Sequence, residues 1–347
     1  MIYIHQSSCI SPQLSFPVPD LSRLVESSEN QMRVVEPGNY AIPASVLRRM
    51  GKAVRIGVGA AIPLLKWAPQ AAGIVIGTAN GGMEDCIRFL NQIIEYDEGM
   101  LTPGNFVQST PNAIASQMSL LNGNNAYNIT HVHRGLSFEN AVIDIAMLIK
   151  DEPSLTYLLG AVDEISTYNF NIDYLGGWYK KESISNLDLY LSGSEGSIAG
   201  EGAALFLVNG ISRSAIACID AIHTFHGKKP DLVFDQLRQF LDKYHGHEKN
   251  IDLFISGENG DSRLTGYYEE AEKLLAKETG VARFKHMSGE YPTASAIAVW
   301  IACDIFQNQS IPEHMLKKAP SAPEMKQILI YNNYKGVQHS FMLVSKV

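Results

Sequence analysis

Only four cysteines occur in 347 residues, at positions 9, 86, 218 and 303. No two of them form a CxxC pair or alternate with histidine at metal-ligand spacing, so no metal site is expected. Free thiols in a reducing cytoplasm are the reading. Basic residues are outnumbered, 28 Lys and Arg against 36 Asp and Glu, for a formal net charge of −8. That argues against a nucleic-acid-binding surface. No uninterrupted apolar segment is long enough to span a bilayer, and MIYIHQSSCISPQ has no basic region ahead of an apolar core. Neither a membrane span nor a signal peptide is therefore expected. Glycine-rich turns at 73–83 and 193–208 lack the GxGxxG spacing and the Lys-Ser/Thr of a phosphate loop, so no cofactor is expected. There is no short-period repeat and no low-complexity segment. What remains is 46% hydrophobic and 18% charged, the balance of a well-buried globular protein.

The chain is organised around residues 128–139, NITHVHRGLSFE. An apolar run with helical spacing follows, and then TYLLGAVDE, short enough for a buried strand. Strand, sharp turn, buried helix and strand place one side chain at a helix N-terminus, where free N–H groups and the dipole favour negative charge. That is a natural seat for a thiolate. The turn holds His131, Val132, His133, Arg134 and Gly135, and no cysteine.

Residues 2–5 suit a short strand, and 14–40 form a polar, proline-bearing surface excursion. Pro43 opens a helix running to Ala68, with Arg48, Arg49, Lys52 and Arg55 near one another on it. GIVIG at 73–77 is a buried strand, and a helix follows Met83. Asn112 caps the next helix. Residues 165–190, rich in tyrosine, form a loop or lid. The second half repeats the theme: strands at 215–225, 251–261 and near both ends of 328–347, with helices at 230–244, 266–280 and 293–306. Gly280 closes the second of these helices. Strands alternating with helices predict parallel-type sheets covered by helices.

The order of motifs resembles the β-ketoacyl synthase family. RRMGKAVRIGVGAA is similar to that family's first long helix, IGTANGGMED to the next strand and turn, and TPGNFVQSTPNAIASQMSLLNG to its following segment. YLLGAVDE, GSIAGEGAALFLV, KHMSGEYPTASAIAV and NNYKGVQHSFMLV resemble later family strands and turns, in the right order to the end of the chain. The resemblance implies a thiolase-like α/β fold of five layers, αβαβα, with two similar halves: 1–210, carrying loops 14–40 and 165–190, and 211–347. It also implies a dimer formed through a central strand.

Condensing members of the family use a cysteine and two histidines, with a lysine five residues before the second histidine. Here the nucleophile window, His131–Gly135, holds no thiol. The first histidine falls at or next to Gly257 and the second on Glu290, while the lysine is kept as Lys285. The site acts as a unit, so the condensation is expected to be lost. The resemblance then points to the short, chain-length-factor-like branch: a catalytically deficient partner of an active ketosynthase in polyketide, aryl-polyene or fatty-acid-like biosynthesis. Its expected partners are a ketosynthase paralogue and an acyl carrier protein; Arg48, Arg49, Lys52 and Arg55 read first as a solvated helix face and second as a docking patch for the carrier. Two alternatives stand beside this. One is an acyltransferase or malonyl decarboxylase that uses His133 with Ser137, Glu139, Glu290 or Asp163. The other is a homodimeric scaffold without acyl ligand. The polar cluster at the turn reads first as a satisfied hydrogen-bond network, Glu290 with Lys285 as an internal ion pair, Asp163 and Glu164 as structural strand-end acids, and Asn259 and Asp261 as turn formers.

Overall fold

The structure, a computed structural model, describes residues 1–27, 29–244 and 251–347. Ser28, within the expected 14–40 excursion, lies outside the described residues. The strands are β1 (Ile2–Ile10), β2 (Gln31–Met32), β3 (Gly73–Gly77), β4 (Tyr127–His131), β5 (Tyr157–Asp163), β6 (Ala199–Gly200), β7 (Gly202–Asn209), β8 (Ala217–His226), β9 (Leu253–Ser256), β10 (Gly280–Arg283), β11 (Leu316–Lys318), β12 (Gln327–Tyr334) and β13 (Gln338–Lys346). Eleven of them form one mixed sheet in the order β11-β10-β9-β12-β13-β8-β1-β7-β5-β3-β4, and β2 pairs with β6 apart from it.

The sheet has an internal likeness. On one side β3 runs parallel to β4 and β5, and antiparallel β7 and β1 follow. On the other, β9 runs parallel to β10 and β12, and antiparallel β13 and β8 follow. The two sets meet where β1 and β8 pair over Ile2–Ile4 only.

Side-chain alternation builds the layers. Val75, Leu159 and Phe206 point to a central core that also takes Ile255, Ile330 and Met342 from the other set. Their strand neighbours Ile74, Leu158 and Leu205 face outward onto the helices 52–67 and 113–122. Phe254, Leu329 and Phe341 face outward onto the helices 230–244 and 265–272. The central layer is made by helix Ser137–Asp151 and helix Ser295–Asn308. The latter, SAIAVWIACDIFQN, is apolar on nearly every side and buries eleven of its residues, as a helix enclosed by the two halves of the sheet must. Each fully buried Ile, Val or Phe there contributes about 1.5–3 kcal/mol. The result is the five-layer, thiolase-like α/β arrangement.

Some local expectations are corrected. The helix from Pro43 to Ala68 is two, Ala44–Leu47 and Lys52–Trp67, because the chain leaves helical geometry at Gly51. The helix after Thr265 ends at Glu272, and Gly280 does not close it. Gly280 opens β10 instead, its N–H held by Asp252 O at 2.9 Å. Residues 165–190 contain a helix, Thr167–Leu175, whose start is capped by the Ser166 hydroxyl. Within 14–40, Leu21, Met32 and Val34 are buried, so the excursion packs onto the body.

Candidate functional site

β4 ends at His131, and the chain turns through 132–136 into the helix Ser137–Asp151, which sits in the central core. Gly77 lets the helix head approach β3: a Cβ there would lie 2.6 Å from the Phe138 nitrogen. Within the turn, Arg134 has φ +49°, the one left-handed residue among 131–136. A non-glycine residue held in that region at a strand-to-helix turn marks a sharp elbow that presents its side chain. Sequence alone left five candidate positions for the elbow, and Arg134 is the one of them with left-handed backbone.

The donors at this helix head are occupied by the chain itself. The Gly135 N–H donates to Gln338 Oε1 at 2.9 Å. Ser137 Oγ accepts from the His133 N–H at 2.7 Å and donates to Arg134 O at 2.8 Å. The Ser137 hydroxyl is thus fully committed to backbone. The His131 ring pairs with Asp144 at 3.0 Å, where Tyr127 also donates. The His133 ring is exposed and lies 5.9 Å from the His226 ring. The His133–Ser137 dyad of the alternative reading is not formed, because the hydroxyl closes the turn. Gly135 is pressed against Tyr334, whose Cβ would lie 2.2 Å from any Cβ added to the glycine.

Behind the turn lies a buried polar set. Lys285, wholly buried, pairs with Glu290 at 3.0 Å. The other Glu290 oxygen accepts from Asn259 at 2.8 Å. Gly257 packs against Asn332. Glu139, on the first turn of the central helix, accepts from Ser340 at 2.8 Å, and its Oε2 has no partner among the described residues. Burial pushes the Glu139 carboxyl up, opposed by the Ser340 hydrogen bond and the charge of Lys285. Asp163 accepts from Thr78, the Ala79 and Asn80 N–H groups and Thr293, which ties three segments together. Asn259 and Asp261 each accept from a backbone N–H two residues on, as turn formers do.

The space bounded by Trp178, Tyr179, Asn259, Glu290, Tyr334 and Lys335 is a cavity of only about 10 Å³, roughly the room for one water. Lys335 bridges its mouth to Asp173 at 2.5 Å. Sequence reasoning missed Asp144, Tyr334 and Gln338. Tyr334 and Gln338 sit in the stretch NNYKGVQHS that carries the family resemblance, and that was the available signal.

Two further expectations change. Asn112 stands at the start of the helix Ala113–Asn122, but its side chain makes no cap bond. It bonds Ser116 and Thr130 instead, tying helix to β4. Of the four basic docking candidates, Lys52 is bonded to Glu201 and Arg55 is bidentate to Glu36. Both are therefore taken up within the fold, whereas Arg48 and Arg49 are exposed. They line a 700 Å³ groove with Arg88.

Glu164 gives a pH prediction. It is 5% exposed and accepts from the Ala53 N–H at 3.0 Å. Burial, then the nearby Asp85, pushes its carboxyl up from 4.5 to about 7. Between pH 4.5 and about 7 the folded state binds the extra proton, so stability is highest below that window and falls as pH rises through it. The shift corresponds to about 3 kcal/mol at alkaline pH. Urea midpoints from pH 5 to 8 are expected to fall for the wild type and to run markedly flatter for Glu164→Gln.

Among the described residues no helix is long and apolar enough to cross a membrane, and no group of three or more His, Cys, Asp or Glu could hold a metal ion. Residues 25–170 match the family model "Beta-ketoacyl synthase, N-terminal domain". No curated protein matches the chain by sequence. Among solved structures, a beta-ketoacyl synthase from Burkholderia phymatum STM815 superposes with a TM-score of 0.78 at 13% identity, covering 100% of this chain and 99% of that one. The ketosynthase ApeO in complex with its chain length factor ApeC from Xenorhabdus doucetiae gives 0.76 at 12%, covering 100% and 98%. A type II polyketide synthase ketosynthase in complex with its acyl-carrier protein gives 0.74 at 15%, covering 100% and 99%. The fold is thus the thiolase-like fold of the ketosynthases. Over residues 25–170 the likeness to that family extends to the sequence, and beyond them it is a likeness of fold.

Proposed function

We propose that this chain is a non-condensing, chain-length-factor-type subunit that pairs with an active ketosynthase in polyketide, aryl-polyene or fatty-acid-like biosynthesis, in the cytoplasm. The observation that carries the reading is the elbow at the head of the central helix. It presents Arg134 where a thiolate nucleophile would sit, and Gln338 occupies the neighbouring N–H. No thiol is near in sequence. Cys9, Cys218 and Cys303 are buried elsewhere, and burial pushes each of their pKa values up to about 12. On this reading the first family histidine falls at or next to Gly257 and the second on Glu290.

The partner surface is read from the sheet edge. β4 is the last strand and has one unpaired side. On this strand and on the two helices that contact it, Tyr127, Leu120 and Met147 are exposed. Apolar residues exposed beside an open strand fit a subunit interface. The acyl carrier protein is proposed to meet Arg48 and Arg49, the docking candidates not engaged in ion pairs.

The test is co-expression with a ketosynthase encoded nearby, one chain tagged. A stoichiometric complex whose condensation requires the partner's cysteine is the expected result. Thiol-dependent condensation by this chain alone would overturn the reading, as would a stable homodimer that takes up no ketosynthase.

A further inference from the structure

A second recess lies away from the elbow, behind the end of β1. It has a volume of about 350 Å³, which is room for roughly ten water molecules. Three segments build it: β1 residues 6–9 with the following 15–19 turn, the C-terminal end of helix Lys52–Trp67, and the helix Ser295–Asn308. Its walls include two of the chain's three tryptophans, Trp67 at the rim, 59% exposed, and Trp300 inside, 4% exposed. Phe16, Pro17 and Pro19 complete the apolar wall.

Among its fourteen lining residues Asp304 carries the one formal charge, and none is Lys, Arg or His. The partner of Asp304 among the described residues is the Asn308 amide, at 3.0 Å, and no cation pairs with it. Burial raises the proton affinity of this carboxyl, the mark of a charge without a counterion. A half-buried carboxylate without a cation, in a recess that two tryptophans also line, with Gln6 and Gln307 beside them, suits one chemistry. An organic ammonium ion gains the Coulomb attraction of the carboxylate and the cation–π attraction of the indoles.

We propose that this recess binds a small organic ammonium ion, with Asp304 as counterion and Trp67 and Trp300 as aromatic walls. The site is independent of the elbow and of the partner surface, so its fate does not depend on the reading above.

The experiment is titration of the full chain with choline, followed by tryptophan fluorescence, beside the neutral isostere 3,3-dimethylbutan-1-ol. Choline is expected to give a saturable change and the isostere to bind at least about tenfold more weakly, the factor that 1.4 kcal/mol of cation recognition supplies. Asp304→Asn is expected to weaken choline by a similar factor. Should that variant fail to fold, Trp67→Ala at the rim replaces it, with the same weakening expected. No saturable response to choline, equal binding of the isostere, or unchanged choline binding in the variant that folds would each overturn the proposal.

Discussion

Lys285→Met is expected to destabilise the protein by about 3–5 kcal/mol, seen as a large drop in the urea midpoint at pH 7, because it leaves a buried carboxylate without its counterion. Lys285 is completely enclosed, and its ammonium lies 3.0 Å from Glu290. Glu290 is itself 8% exposed and has the Asn259 amide as its remaining partner. An isolated carboxylate in that position must either take up a proton or draw in water, and both cost stability. The double variant Lys285→Met with Glu290→Gln is expected to recover most of the loss. A neutral amide keeps an acceptor for Asn259, and a buried ion pair replaced by neutral groups of similar volume is often neutral in stability. If the single variant lost less than about 1 kcal/mol, as exposed pairs do, the pair would be open to solvent and the picture of a closed, repacked interior would fail. The result matters for the proposed function because that reading puts Glu290 at the position of the family's second histidine, with the ion pair in place of its chemistry.

The same positions show what a sequence can and cannot reveal. The Lys285–Glu290 pair was legible because five residues separate its members and both types were known. The missing thiol was legible because absence within a five-residue window needs no coordinates. The order of strands and helices was legible through alternation, which sorts Ile74 and Ile76 to one core and Val75 to another. The elbow residue was not, because a positive φ at Arg134 is a property of the backbone that no side-chain pattern announces. Gln338 reaching Gly135 was hidden by a separation of 203 residues. The four-residue basic patch misled for the same reason. Its neutralising partners Glu36 and Glu201 lie 19 and 149 residues away from Arg55 and Lys52. Asn112 misled differently: its residue type suits a cap, yet Ser116 and Thr130 offered its amide better partners in the folded chain.

Arg134→Cys is expected to create a fast-reacting thiol without creating a condensing enzyme. The left-handed turn at 134 already presents its side chain at the head of the fifteen-residue helix Ser137–Asp151. The dipole of that helix lowers the pKa of a thiol placed there. Iodoacetamide at pH 7, followed by peptide mass mapping, is expected to label the introduced thiol about 10–100-fold faster than Cys86, the one native cysteine that is not buried, since the thiolate is the nucleophile and the helix head raises its fraction at 134. Labelling no faster than Cys86 would mean that 134 is not the elbow, and the functional reading would lose its main support. Condensation of acyl and malonyl thioesters is expected to stay at background in the same variant. Gly257 and Glu290 supply no imidazole, and Gln338 still occupies the Gly135 N–H. Catalytic groups that work as a unit restore little when one is returned alone. A reactive sulfur in a site that still does not condense would show that a helix head able to activate an anion is not sufficient without imidazoles and free N–H donors around it.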